Sequence, residues 1–147
     1  MERILVGMDP EEGSLWAGIH ALNLAKRIKK AKVSFLLVLD PGTDKQKQAL
    51  QEERKSSMMK SLGPLIEQGR AEGIGVEYFV SYGKFDNELV RFIKENRITM
   101  LVVGPPPDEK GPSAHFTDLL EKVRHRIDCR IEVVHEKNVK STLKRRR

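Results

Sequence analysis

The 147-residue chain contains one cysteine, Cys129. An internal disulfide framework is thereby excluded, which agrees with a reducing compartment. Long apolar runs are missing too. The longest, Phe35 to Leu39, has the length of a core strand and falls far short of the ~20 residues that span a bilayer, so no stable membrane insertion is expected. Met1-Glu2-Arg3 leads into only Ile4-Leu5-Val6 before Gly7 and Asp9, which is not a secretory pattern. The expected location is cytoplasmic. Acidic residues are absent from positions 137 to 147, and so are aromatics. A segment without aromatics offers no stacking platform for single-stranded nucleic acid.

The residues that are present describe one domain. A chain of this size matches the usual domain length of ~100–150 residues, and its 33% charged residues suit a densely charged surface over one core. The formal net charge of +6 is local in origin. Lys137, Lys140, Lys144, Arg145, Arg146 and Arg147 lie in the last eleven positions, and the remaining 21 basic residues equal the 21 acidic ones. The expected organisation is an α/β domain over residues 1–136 and a basic tail over 137–147. The tail reads as a solvated end, or as a non-specific electrostatic anchor for nucleic acid or an anionic membrane.

Five short aliphatic runs predict strands: Arg3 to Met8, Lys32 to Leu39, Val76 to Tyr82, Ile98 to Val103 and Arg130 to His135. Four are nearly continuous in apolar residues, as in parallel strands covered on both faces. The third alternates, with Val76, Tyr78, Val80 and Tyr82 between Glu77, Phe79 and Ser81, and predicts an edge. Helical periods separate the runs. Ala17, Ala21, Leu24, Ala25 and Ile28 form one stripe. A second helix is predicted from about Asp44 to Arg70, with Leu50, Met58, Leu62, Leu65 and Ile66 inward and a kink at Gly63-Pro64. A third runs from Asp86, as N-cap, to Asn96. The fourth runs from Asp118 to Ile127, where Asp118 and Glu121 have capping-box spacing. Strands alternating with helices give a five-stranded, doubly wound parallel sheet with helices on both faces.

In such a sheet the ligand crevice lies beyond the carboxyl ends of the strands, where the winding reverses. Met8 and Asp9, Leu39 and Asp40, and Gly83 are at those ends. Gly104 through Thr117 forms a 14-residue link, well beyond the usual ~2–6 residues. Gly7 and Gly83 read as tight strand-end positions, Asp40 before Pro41-Gly42 as turn chemistry, and Trp16, Met58 and Met59 as core or interface residues. His20, His115, His125, His135 and Cys129 lack a compact ligand spacing, so no metal site is expected. Ser14, Ser113 and Thr117 have no evident base nearby, and no catalytic residue is nominated.

Ile4-Leu5-Val6-Gly7-Met8-Asp9, the Ala17/Ala21/Ala25 helix, Val38-Leu39-Asp40-Pro41, Val80 to Gly83 and Met100 to Gly104 resemble the successive landmarks of the universal stress protein family. The resemblance covers residues 2 to 135. It implies a fold of the universal stress protein and adenine nucleotide alpha hydrolase type, with sheet order 3-2-1-4-5 and usually dimeric. One branch of the family binds ATP and another does not. In the first branch, the last loop carries Gly-x2-Gly-x9-Gly-Ser/Thr around the phosphates. Laid on this chain, the motif keeps Gly104, but its second glycine falls on Pro107 and its final pair on Thr117-Asp118. Prolines at 105, 106 and 107 donate no hydrogen bonds, and Asp118 brings a carboxylate to where a phosphate would sit. Lys110, Gly111, Ser113 and His115 are the replacements at hand.

Asp9 matches the aspartate that faces adenosine in the ATP-binding branch, and it reads equally as a turn residue before Pro10. The residues expected at the crevice are thus Met8, Asp9, Leu39, Gly83, Gly104, Gly111 and Thr117. The function expected is a non-enzymatic regulatory or ligand-sensing homodimer, paired through the fifth strand, Arg130 to His135, and lacking family-type ATP binding. The alternatives are a nucleotide-gated switch or slow ATPase holding ATP or another adenine nucleotide on an altered loop, and an adaptor recruited by Lys137 to Arg147.

Overall fold

Each strand is tied to its neighbours by parallel pairing around β1 (Glu2–Met8) in the computed structural model, which describes residues 1–10, 13–40, 42, 44–105 and 114–134. The tail 137–147, Gly111 and His135 lie outside the described residues. β1 is followed by α1 (Gly13–Lys26), β2 (Ala31–Leu39), α2 (Lys45–Ala71), β3 (Gly75–Tyr82), α3 (Phe85–Glu95), β4 (Met100–Val103), α4 (Ala114–Arg124) and β5 (Arg130–Val133). The sheet order is β3-β2-β1-β4-β5, all parallel. β3 is the edge expected from sequence, but its burial does not alternate: Val76 is buried, while Phe79 and also Tyr82, which shares the face of Val76, are exposed.

Successive residues of a strand face opposite sides, and here both sides are covered. Ile4, Val6, Val33, Phe35 and Leu37 pack with Ala17, Ala21, Met58 and Leu62 in the core beneath α1 and α2. Leu5, Leu36, Leu101 and Val103 pack with Leu89, Val90, Ile93 and Val123 beneath α3 and α4. Small residues set the approach of the helices. A Cβ on Gly18 of α1 would stand 2.8 Å from the Phe35 ring, and one on Gly7 would stand 2.7 Å from Leu89 of α3.

Four local expectations change. α2 starts as predicted, with the Asp44 side chain accepting from the Gln46 amide at 2.8 Å, but Leu50 is exposed. The inward line runs through Gln51, Lys55, Met58, Leu62 and Gly69, and Leu50 lies about 100° around the helix from Gln51. The Gly63-Pro64 pair does not interrupt α2, and Pro64 is on its exposed side. α3 begins one residue before Asp86, with Lys84 as N-cap and no side-chain cap, because the chain turns into the helix directly after Gly83. α4 begins at Ala114 and not at Asp118. Phe116 is buried with Val123, so the apolar stripe reaches one turn further upstream. Asp118 is thereby an exposed mid-helix residue, and Glu121 pairs instead with Arg124 at 3.9 Å and His125 at 3.8 Å.

The β3–α3 turn is held from beneath. Glu88, 8% exposed, accepts from the Ser81 hydroxyl and, at 2.7 Å, from the Arg91 guanidinium. Its side chain lies 3.1 Å from where a Cβ on Gly83 would be. The Gly83 amide donates to the Leu39 carbonyl at 2.9 Å, joining the ends of β3 and β2.

Three substitutions test this architecture by urea denaturation. Phe35→Ala should cost ~3–5 kcal/mol, whereas Leu50→Ala should stay within ~0.5 kcal/mol; a large loss at Leu50 would return that residue to the core. Glu88→Ala should cost ~1–3 kcal/mol, because Ser81 loses its buried partner. Amide exchange at Gly83 should accelerate in the same variant, and unchanged protection there would argue against the clamp.

Candidate functional site

β1 leads to β2 and β3 on one side, and the chain then returns to place β4 and β5 on the other. The loops at the carboxyl ends diverge at that reversal and leave a crevice. A cavity of about 510 Å³ occupies this end of the sheet, within the ~300–1,000 Å³ range typical of small-molecule sites. Its floor is made by Asp9 and Pro10 after β1 and by Val38 and Asp40 at the end of β2. Gln51 and Arg54, one turn apart on α2, form one wall. Gly83, Lys84, Phe85, Asp86 and Asn87 form the rim at the β3–α3 turn. His115, Phe116, Leu119 and Lys122 close the cavity from one face of α4.

Of the residues expected from sequence, Asp9 and Gly83 line this cavity. The side chains of Met8 and Leu39 are fully buried in the core beneath it, although Val38 and Asp40 on either side of Leu39 do line it. Gly104 is buried at the end of β4 with Pro105. Thr117 is exposed on α4 outside the lining. Since α4 starts at Ala114, the amides of Thr117 and Asp118 fall past the first turn, where amides bond within the helix. They are not the open amides of a helix end.

Sequence reasoning named His115 as a replacement contact and missed Gln51 and Arg54 on α2 and Phe116, Leu119 and Lys122 on α4. Gln51 and Arg54 sit in a strongly polar stretch with no motif. His115, Leu119 and Lys122 have the offsets of one helical face, a signal visible only once α4 is begun at Ala114.

The polar groups differ in how they are satisfied. Gln51 Oε1 is enclosed and has no hydrogen-bond partner among the described residues. Lys84 and Lys122 on the rim, and Asp40 and Asp86 near them, form no ion pairs among the described residues. Outside the cavity, His20 Nε2 lies 2.8 Å from Glu132 Oε2, linking α1 to β5. Cys129 is half-buried, and burial pushes its thiol pKa up, away from the reactive thiolate. Burial likewise raises the Tyr78 phenol, whose hydroxyl has no partner among the described residues, while Lys55 opposes the shift. Lys55 itself donates to the Tyr82 hydroxyl at 3.1 Å.

Comparison with known proteins gives a consistent answer. No curated protein matches the chain. Among solved structures, it is similar to the universal stress protein UspA from Lactobacillus plantarum, at 17% identity with a TM-score of 0.73, covering 90% of this chain and 97% of that one. A universal stress protein in complex with cAMP is 20% identical with a TM-score of 0.64, covering 91% and 96%. A universal stress protein family protein from Arabidopsis thaliana with AMP bound is 13% identical with a TM-score of 0.63, covering 92% of each. At these identities the structural likeness establishes the fold. The family assignment comes from the sequence model of the universal stress protein family, which matches residues 1–135. With that match over nearly the whole described sheet and its helices, the chain belongs to the universal stress protein family.

Proposed function

We propose that residues 1–136 form a non-catalytic, ligand-sensing regulatory domain that works as a homodimer. Its crevice takes a small adenine nucleotide of the monophosphate class rather than ATP on a glycine-lined loop. The observation that carries this reading is the cavity of about 510 Å³ with a polar rim, taken with a sequence that runs into three consecutive prolines after Gly104. Three residues without N–H groups remove the backbone donors at positions 105 to 107. Pro107 replaces the glycine that would have approached the phosphates, and the Thr117-Asp118 pair is internal to α4. The floor still offers Asp9 and Asp40 as acceptors for hydroxyl or amine groups. The relatives solved with cAMP and with AMP add support for a ligand of that size.

Dimerisation in this reading uses β5. Its outer side pairs with no strand among the described residues, and Ile131 and Val133 are half-buried in the α3–α4 core. An unpaired edge of this kind favours pairing with a second copy across a two-fold axis. Arg130 and Glu132 would then approach their opposite charges in the other chain.

Nucleotide content decides the first claim. Protein purified without added ligand and then denatured should release no stoichiometric ATP, and AMP should raise its melting temperature more than ATP with Mg²⁺ does. A ligand at about 100 times its dissociation constant adds ~2.7 kcal/mol of stability, so the shift is readable. Near-stoichiometric ATP in the denatured sample would overturn the reading in favour of a nucleotide-gated switch. For the second claim, light scattering at micromolar concentration should give twice the monomer mass, and a monomer throughout would rule the β5 dimer out.

A further inference from the structure

The cavity carries its cations on side chains at the rim. Lys84 sits at the β3–α3 turn and Lys122 on α4, both line the same cavity, both are exposed, and neither forms an ion pair among the described residues. Acceptors line the same cavity: Asp40 at the end of β2, beside the Gly83-Lys84 turn, and Gln51 Oε1, enclosed on the α2 wall one turn from Arg54 and without a partner among the described residues. A buried acceptor left unpaired is costly, and a ligand N–H or O–H would relieve it. The cavity therefore offers acceptors, at Asp40 and Gln51, together with exposed cations, at Lys84 and Lys122.

We infer that Lys84 and Lys122 form a side-chain phosphoryl subsite, which takes over the task that the backbone of the proline-bearing loop cannot perform. This rests on the monophosphate reading above and specifies where the charged end of that ligand goes. A lysine ammonium is a compact charge with three rotatable donors and binds phosphate without a preset fork. Two of them on different elements define one position between the β3–α3 turn and α4. The nearest carboxylate in sequence is Asp86, on the same helical turn as Lys84 and also lining the cavity. With Asp40, brought beside the same turn by the Gly83–Leu39 hydrogen bond, it offsets part of the lysine charge, which suits one phosphoryl group and disfavours three in a row. The first turn of α3, which has no side-chain cap, adds unpaired amides to the same rim. The other end of the ligand would present its amine or hydroxyl donors to Asp40 and Gln51.

Calorimetric titration of the full chain with adenosine, AMP, ATP and inorganic phosphate tests the assignment, comparing the native protein with Lys84→Gln/Lys122→Gln. Both lysines are exposed, so the fold should persist. Lys60→Gln, at an exposed position on α2 outside the cavity lining, serves as the control for loss of a lysine elsewhere on the surface. The native protein should bind AMP roughly tenfold or more tightly than adenosine, the factor expected for charge-assisted contacts, and more tightly than ATP. The double variant should bind AMP no better than adenosine, with adenosine affinity unchanged. An AMP preference that survives the double substitution overturns the subsite. If the native protein binds neither adenosine nor AMP, the nucleotide reading fails. Inorganic phosphate then decides the subsite alone: binding abolished in the double variant and retained in Lys60→Gln supports it, and no binding, or binding unaffected by the double substitution, overturns it.

Discussion

β1 is bonded along both of its edges, to β2 over seven residue pairs and to β4 over four, and both of its faces are covered by helices. A strand enclosed in this way must be apolar throughout and must leave room where helices come close. Ile4, Leu5 and Val6 meet the first condition with no exposed surface. Gly7 meets the second, because any Cβ there would collide with Leu89. The same central placement dictates where the chain can open. With β2 and β3 on one side and β4 and β5 on the other, the connections after β1 and β4 depart in opposite directions. The cavity is a consequence of that divergence, and its floor is the end of β1 itself.

The sheet was legible in the sequence because enclosed parallel strands and half-covered edge strands have different apolar patterns. The strand runs, the β3 edge and the stripe of α1 all follow from that distinction. What escaped was set by contacts between distant parts of the chain. Asp118 and Glu121 have the spacing of a capping box, but burial of Phe116 against the α3–α4 core extends α4 upstream and overrides that local signal. Leu50 is apolar and its neighbour Gln51 polar, so residue type alone gives the wrong inward direction at the start of α2. The position of the stripe is fixed further along, by Met58 and Leu62.

The site was legible to the same degree and for the same reason. Asp9 and Gly83 follow strands whose ends could be read, and both reach the cavity. Lys84 follows Gly83 at the same strand end, whereas Lys122 belongs to a helix face whose placement depends on tertiary packing and is an ordinary exposed residue until α4 is brought against α3. The glycine motif was informative in the opposite sense. Its loss at Pro107 removes a backbone donor from the sequence, while Lys84 and Lys122 bring side-chain donors to the cavity.

The 27 residues of α2 correspond to about 40 Å of helix, whereas β2, the longest strand with nine residues, spans about 30 Å. The helix therefore overruns the sheet, and the overrun carries Gln51 and Arg54 up beside the crevice. Its core contacts, Met58, Leu62 and Gly69, all lie further toward the C-terminal end. The height of this wall is consequently set outside the buried core contacts of α2, with the Lys55–Tyr82 hydrogen bond tying this stretch to β3. Adding or removing a turn before Met58 would deepen or lower the cavity by about 5.4 Å without disturbing a single core residue, so chains of this architecture have a means of adjusting ligand size that leaves the fold untouched.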